Sequence, residues 1–157
     1  MGKAEVTEEK REQERVKSHT SVIGTPGAVS PDNFLIMAYN INGIKGQLSS
    51  GCLRHLLQTH LPAVLCLGEL KQRADRLRQR AKLLPLLREF GYHSYNFHAH
   101  DEPETGYSGT AILSRVPPLA FLEGWTGTDA VDDEGRVVTA IFSSFILVHI
   151  RAVVWIQ

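Results

Sequence analysis

Two short apolar runs in this sequence are each followed at once by oxygen-bearing side chains. Phe34-Leu35-Ile36-Met37-Ala38-Tyr39 leads into Asn40-Ile41-Asn42-Gly43, and Ala63-Val64-Leu65-Cys66-Leu67 leads into Gly68-Glu69-Leu70-Lys71. A carboxylate with amide and water oxygens is the ligand set that a hard cation such as Mg²⁺ accepts. One carboxylate with several retained waters suits Mg²⁺ bound beside a phosphate. Asn40, Asn42 and Glu69 are therefore candidate ligands if the fold brings the two run ends together. The same residues have a plainer use: Asn40 and Asn42 form turns, and Glu69 caps a following helix. Spacing alone favours the plainer use.

Further candidates lie downstream. In Gly106-Tyr107-Ser108-Gly109-Thr110, glycines beside a Tyr and a Ser let backbone and hydroxyls approach a phosphate, although the same string serves as an ordinary turn. Arg136, in Asp133-Glu134-Gly135-Arg136, can contact phosphate or pair with a neighbouring carboxylate. His93, His98 and His100 lie close together, but no third ligand stands near the zinc-like spacing of His98 and His100, so all three read as surface histidines.

The elements that must position these groups follow from hydrophobic patterning. The first run is a buried strand closed by a turn. Leu53, Leu56, Leu57 and His60 share one helical face, giving a helix from about Ser50 to His60 that Pro62 ends. Ala63 to Leu67 is a second buried strand. Strand, helix, strand over so short a stretch implies a parallel pair with a right-handed crossover. In sheets with parallel strands, sites form beyond the strands' carboxyl ends, which is where Asn40, Asn42 and Glu69 fall. Lys71 to Phe90 reads as one long helix with Leu77, Leu84 and Leu87 inward. Its other faces carry Lys71, Arg73, Arg76, Arg78, Arg80, Lys82 and Arg88 against Asp75 and Glu89, a basic surface suited to a nucleic-acid backbone. Tyr92–Phe97, Gly109–Leu113, Arg136–Phe142 and Phe145–His149 read as further strands.

Composition bounds the rest. The chain has 157 residues, 43% hydrophobic and 22% charged, with zero formal net charge. Nucleic-acid affinity would have to come from a local basic patch. Cys52 and Cys66 have no CxxC spacing and read as small core residues in a reducing compartment, not as a disulfide or a zinc site. Residues 1–32 read as a disordered charged tail and linker, and residues 33–157 as the folded part. The N-terminus has no apolar run of the kind a signal peptide needs, so the expectation is an intracellular protein that is not secreted. Ala140 to Gln157 is about long enough to span a membrane, but His149 and Arg151 are costly at mid-bilayer depth. It reads as strand, turn, strand, and no membrane association is expected.

Four blocks together resemble the exonuclease III family of AP endonucleases, within the endonuclease/exonuclease/phosphatase superfamily. They are Tyr39-Asn40-Ile41-Asn42-Gly43-Ile44-Lys45, Ala63 to Lys71, Gly106 to Arg115, and Asp133-Glu134-Gly135-Arg136-Val137-Val138 with Phe145-Ile146-Leu147-Val148. The resemblance implies an α+β fold: a DNase-I-like layered sandwich with helices outside two sheets, here cut to about its first half. It implies cleavage of duplex DNA 5′ of an abasic site with Mg²⁺ (or Mn²⁺) and no small-molecule cofactor, in the nucleus or another intracellular compartment. Carried over by position, Asn40 and Glu69 would be catalytic, Asn42 and Glu69 would hold the metal, and Lys71, Tyr107 and Arg136 would contact DNA.

Three departures qualify the expectation. Gly68 and Leu70 stand where the family has Gln and Thr around the glutamate. Arg151 stands where a tyrosine belongs, and the family's later Asp-x-Asn and Asp-His motifs have no counterpart before Gln157. With one metal carboxylate and no base, little or no catalysis is expected, and a sheet left without its partner would expose an apolar face. The alternatives are a non-catalytic DNA-binding or regulatory fragment, and a retrotransposon-type endonuclease or phosphatase of the same superfamily.

Overall fold

The computed structural model describes residues 28–78, 81–99, 107–125 and 131–152. The tail expected over 1–32 therefore falls largely outside the described residues, as do Gln79, Arg80, His100 and Gly106. A single 3₁₀ turn at Pro31–Asn33 leads into the first strand.

Two sheets form the molecule. Strands β1 (Ile36–Asn40), β2 (Val64–Gly68), β3 (Ser94–His98) and β4 (Thr110–Ser114) make a four-stranded sheet in the order β1-β2-β4-β3. Strands β5 (Ala120–Glu123), β6 (Val137–Ile141) and β7 (Ile146–Ile150) make a three-stranded one. The expected parallel pair is present: β1 runs parallel to β2 with Asn40 opposite Gly68, while every other pairing is antiparallel.

Strands β2 and β4 are buried along their whole length because both faces of the larger sheet are covered. On one face Leu65, Leu67, Ala111, Leu113 and Phe97 pack against the leucines of the helices. On the other, Val64, Cys66 and Ile112 meet Val138 and Ala140 of the smaller sheet, with Phe142, Phe145 and Leu147 around them. Period-2 alternation alone produces this division. The two sheets thus bury each other's inner faces. Apolar residues left open include Ile146, 65% exposed, and Val148 and Ile150, about half exposed, which alternate along β7, as well as Leu119 and Val131 in loops.

The helices correct the sequence expectations in two places. The crossover between β1 and β2 holds two helices, α1 (Ile44–Ser50) and α2 (Cys52–His60), broken at Gly51, whose φ of 79° is left-handed. Gly46, Ser49 and Ser50 are weak helix formers, so α1 is invisible to propensity. It forms because Ile44 is fully buried and its N–H donates to the Leu70 carbonyl at 3.0 Å. In α2, Leu53 and Leu57 are buried but His60 is exposed.

The long helix expected over Lys71–Phe90 is instead α3 (Ala74–Arg78) and α4 (Leu83–Glu89). Pro85 sits in the first turn of α4, where its missing N–H is harmless, but its ring would clash with a helix continuing from Ala81. The break resets the helical phase, so Leu83, Leu86 and Leu87 are buried while Leu84 is only partly so. Lys71 and Arg73 precede α3 and Lys82 precedes α4, so the described residues do not form one continuous basic helical face. Strand β5 was not expected at all. It follows Pro117-Pro118 at a sheet edge and is short and mostly exposed.

Tyr92, fully buried ahead of β3, donates its hydroxyl hydrogen to the Pro62 carbonyl at 2.6 Å. Burial raises its phenol pKa, keeping it a neutral donor. Replacing Tyr92 with Phe strands a buried carbonyl and is expected to reduce stability by about 1 kcal/mol or more in urea unfolding. Both cysteines are free. Cys66 is in the core, where burial raises its thiol to about 11, whereas Cys52 is exposed, contrary to its expected core position.

Candidate phosphate-backbone site

The ends of β1 and β2 and the start of β4 meet in three loops laced by backbone hydrogen bonds. Ile41 N–H donates to Gly68, Gly43 N–H to Glu69, Leu70 N–H to Gly109 and Lys71 N–H to Ser108, at 2.8–3.1 Å. Four non-glycine residues here hold left-handed backbone: Asn42 (φ 44°), Glu69 (58°), Lys71 (49°) and Ser108 (57°). Such conformations disfavour L residues and persist only where the surroundings over-determine them, as they often do at functional sites. Leu70, between two of them, is fully buried and would touch a Cβ on Gly109 at 3.1 Å. Its apolar side chain anchors the loop where the family pattern has a polar one.

The structure brings the candidate residues together. Asn40 Nδ2 donates to Glu69 Oε1 at 2.9 Å, and Asn40 Oδ1 accepts from the Asn42 N–H at 3.0 Å. Asn40 is thus both a turn former, as in the plainer reading, and a partner of the glutamate. Glu69 caps no helix, since α3 begins only at Ala74. Lys71 Nζ donates to Asn42 Oδ1 at 2.5 Å and lies 3.4 Å from Glu69 Oε2. Lys71 therefore belongs to this cluster and not to a basic helix.

Tyr107 and Arg136 join from the other side. Arg136 Nη2 donates to the Tyr107 hydroxyl at 3.1 Å and its guanidinium lies 5.8 Å from that ring's centre. Glu134 forms an ion pair with Arg136. An open cleft of about 300 Å³ lies between Asn40, Glu69 and the end of β7.

Three residues escaped sequence reasoning. Arg151, just past β7, donates from Nη2 to Glu69 Oε1 at 3.1 Å and stacks 5.6 Å from the Tyr107 ring centre. Its backbone N–H donates to Arg136 O at 2.9 Å because β6 and β7 pair with Val137 opposite Ile150. Asp132, almost fully buried, accepts from the N–H groups of Arg136 and Val137 at 2.7–2.9 Å and fixes the loop that aims Arg136. His98 is largely buried, not on the surface. Its Nδ1–H donates to Val137 O at 2.9 Å and lies 3.5 Å from Asp132. Asp132 had a usable signal, an acid two residues before the Glu-Gly-Arg string. Arg151 had none, because its role depends on the β6–β7 register.

Hydrogen bonds, first from Asn40 and then from Arg151 and Lys71, hold the Glu69 carboxyl below the usual carboxylate range. His149, on β7, is shifted down from 6.5, chiefly by burial, with a hydrogen bond to the Leu67 backbone opposing. A buried histidine that resists protonation makes the fold less able than the unfolded chain to take up a proton. His149's contribution is therefore complete above about pH 6.5. It is lost as pH falls from there toward the depressed native value. Denaturation titrations should show this loss in wild type and lack it in His149→Leu.

The donor set does not fit a divalent cation. Asn40 Oδ1 accepts from Asn42, Asn42 Oδ1 from Lys71, and Glu69 Oε1 from both Asn40 and Arg151, while Glu69 Oε2 faces Lys71. Each candidate ligand oxygen already faces a nitrogen donor. One carboxylate against two cations leaves the centre positive. Among the described residues no group of three or more His, Cys, Asp or Glu converges anywhere.

Comparison with known proteins places this geometry. The model of the Endonuclease/Exonuclease/phosphatase family matches residues 37–153. The chain belongs to that family. Within it the chain is related to AP endonucleases. It is 31% identical to Recombination repair protein 1 of Drosophila melanogaster over 75% of this chain and 16% of that protein. It is 31% identical to DNA repair nuclease APEX1 of Danio rerio over 74% of this chain and 35% of that protein. Among solved structures, a 3′ phosphatase NExo from Neisseria bound to product DNA hairpin aligns with TM-score 0.57 and 26% identity, over 73% of this chain and 40% of that one. An AP endonuclease from Archaeoglobus fulgidus shares the fold with TM-score 0.55 and 23% identity, over 72% and 38%. The layered DNase-I-like architecture is thereby established. The chain spans well under half the length of each of these proteins. No helix among the described residues is long and apolar enough to cross a membrane.

Proposed function

We propose that this chain is the DNA-backbone-binding portion of an AP endonuclease-type phosphodiesterase, and that as it stands it holds duplex DNA without cutting it. Its substrate class is abasic duplex DNA in a DNA-containing compartment such as the nucleus, in keeping with the repair nucleases it is similar to. The supporting observation is the convergence of Asn40, Glu69, Lys71, Tyr107 and Arg136 with Arg151 at one end of β1 and β2. Lys71, Arg136 and Arg151 supply point charge and planar donor forks for phosphate oxygens. Tyr107, with the guanidinium groups of Arg136 and Arg151 5.8 and 5.6 Å from its ring centre, adds a ring and a hydroxyl. Mg²⁺ or Mn²⁺, which the family resemblance implies, has no part in this reading because each oxygen that would bind it already faces a nitrogen donor, two of them on cationic side chains. That observation also favours binding over hydrolysis by this chain.

Fluorescence anisotropy with a labelled duplex holding one abasic site tests the reading. Binding should persist in EDTA, and log K should fall against log salt with a slope of about −2 to −3, from two or three phosphate contacts. Affinity weaker than about 1 mM at low salt, or complete dependence on Mg²⁺, would contradict it.

A further inference from the structure

We infer that Arg151 is the resident cation of the Glu69 centre: its guanidinium occupies the carboxylate that would otherwise receive a divalent ion, so the centre takes a phosphodiester oxygen directly. This rests on the DNA-backbone reading for the identity of the anion, but not for the exclusion of the ion.

Several independent contacts fix Arg151 there. Its backbone N–H is held by Arg136 O at 2.9 Å, its Nη2 by Glu69 Oε1 at 3.1 Å, and its guanidinium lies over the Tyr107 ring. The side chain is only 17% exposed, so this is not a solvated surface arginine resting on an acid. Its Nη1 is buried and has no hydrogen-bond partner among the described residues, leaving donor capacity uncommitted. The opposite oxygen of Glu69 faces Lys71. A metal ion arriving at this carboxylate would have to displace a guanidinium held by Glu69 and by the Tyr107 ring and sit among like charges. A phosphate approaching Lys71, whose side chain is 37% exposed, needs no such displacement. Unlike an ion, a tethered arginine cannot be removed by chelation, and its fork suits phosphate oxygens.

Mn²⁺ binding to the purified chain, read by electron paramagnetic resonance without DNA, separates this from the preceding proposal. Wild type should bind Mn²⁺ no better than its Glu69→Gln variant. Arg151→Gln, which keeps length and hydrogen bonding but drops the charge, should bind Mn²⁺ at least tenfold more tightly than wild type. The double variant Arg151→Gln with Glu69→Gln should lose that gain. Arg151→Ala serves as a second neutral variant, and thermal melts show that each compared variant is folded. Glu69-dependent Mn²⁺ binding by wild type as tight as in Arg151→Gln overturns the inference. So does a folded Arg151→Gln with no gain. If the Mn²⁺ results hold but wild type fails to bind DNA in EDTA, the resident-cation role stands and the DNA-backbone reading falls.

Discussion

Replacing Gly135 with alanine is expected to lower the unfolding free energy by about 3 kcal/mol, the largest single effect anticipated here. Gly135 has φ +67°, and a Cβ built on it would lie 2.5 Å from Ala99 Cα and His98 O and 2.6 Å from Ala99 N. All three atoms are backbone, so no side chain can swing away. The loop would have to lift off the end of β3, losing the hydrogen bond from Thr110 Oγ1 to Gly135 O and loosening Asp132. Gly46 provides the contrast. A Cβ there meets nothing within 4 Å, and the position is inside α1, so Gly46→Ala should stabilise by about 0.5–1 kcal/mol. Urea unfolding of both variants measures the difference. A loss below about 1 kcal/mol for Gly135→Ala would mean that the loop does not pack on β3 as described.

The second large effect concerns Arg136. Removing its side chain in Arg136→Ala should weaken binding of abasic duplex roughly tenfold and reduce the salt slope by about 1, uniformly across flanking sequences. Arg136→Lys should recover only part, since a lysine keeps the charge but cannot reproduce the fork on the Tyr107 hydroxyl and the stacking on its ring. Anisotropy titrations at several salt concentrations separate the two contributions. An unchanged slope in Arg136→Ala would show that Arg136 serves only Glu134 and Tyr107 within the fold.

Much of this arrangement was legible in the sequence because it depends on local signals. The apolar runs before Asn40 and Gly68 marked β1 and β2, and the short strand-helix-strand spacing marked their parallel pairing. Ala140 to Gln157 reads as strand, turn, strand from Ser143-Ser144, and β6 and β7 match that reading as far as Ile150. What stayed hidden depends on tertiary context. Helix α1 carries Gly and two Ser and exists because Ile44 is pinned to the glutamate loop. The split between α3 and α4 was signalled by Pro85, which leucine periodicity obscured. Strand β5 needed the β6 edge to pair with. In the site, Asn40, Asn42 and Glu69 could be placed near one another from strand ends alone, whereas Lys71 reads in sequence as part of a basic helix and only the fold sets it on Asn42 and Glu69. The roles of Arg151, Asp132 and His98 required the register of the smaller sheet. Arg151 shows the difference most clearly: in sequence it is a break in a family pattern, and in the fold it is the residue on the glutamate.

We propose that this chain grips a DNA backbone at a centre where the Glu69 carboxylate is already neutralised from within by Arg151 and Lys71. The measurement that tests it most directly is incision of a duplex holding one abasic site by the purified chain, in Mg²⁺ and in EDTA, beside Glu69→Ala. The expected result is intact duplex under every condition, with the strand retained in complex. Cleavage that requires Mg²⁺ and disappears in Glu69→Ala would contradict it, and would mean that Arg151 leaves the carboxylate to a metal ion during turnover.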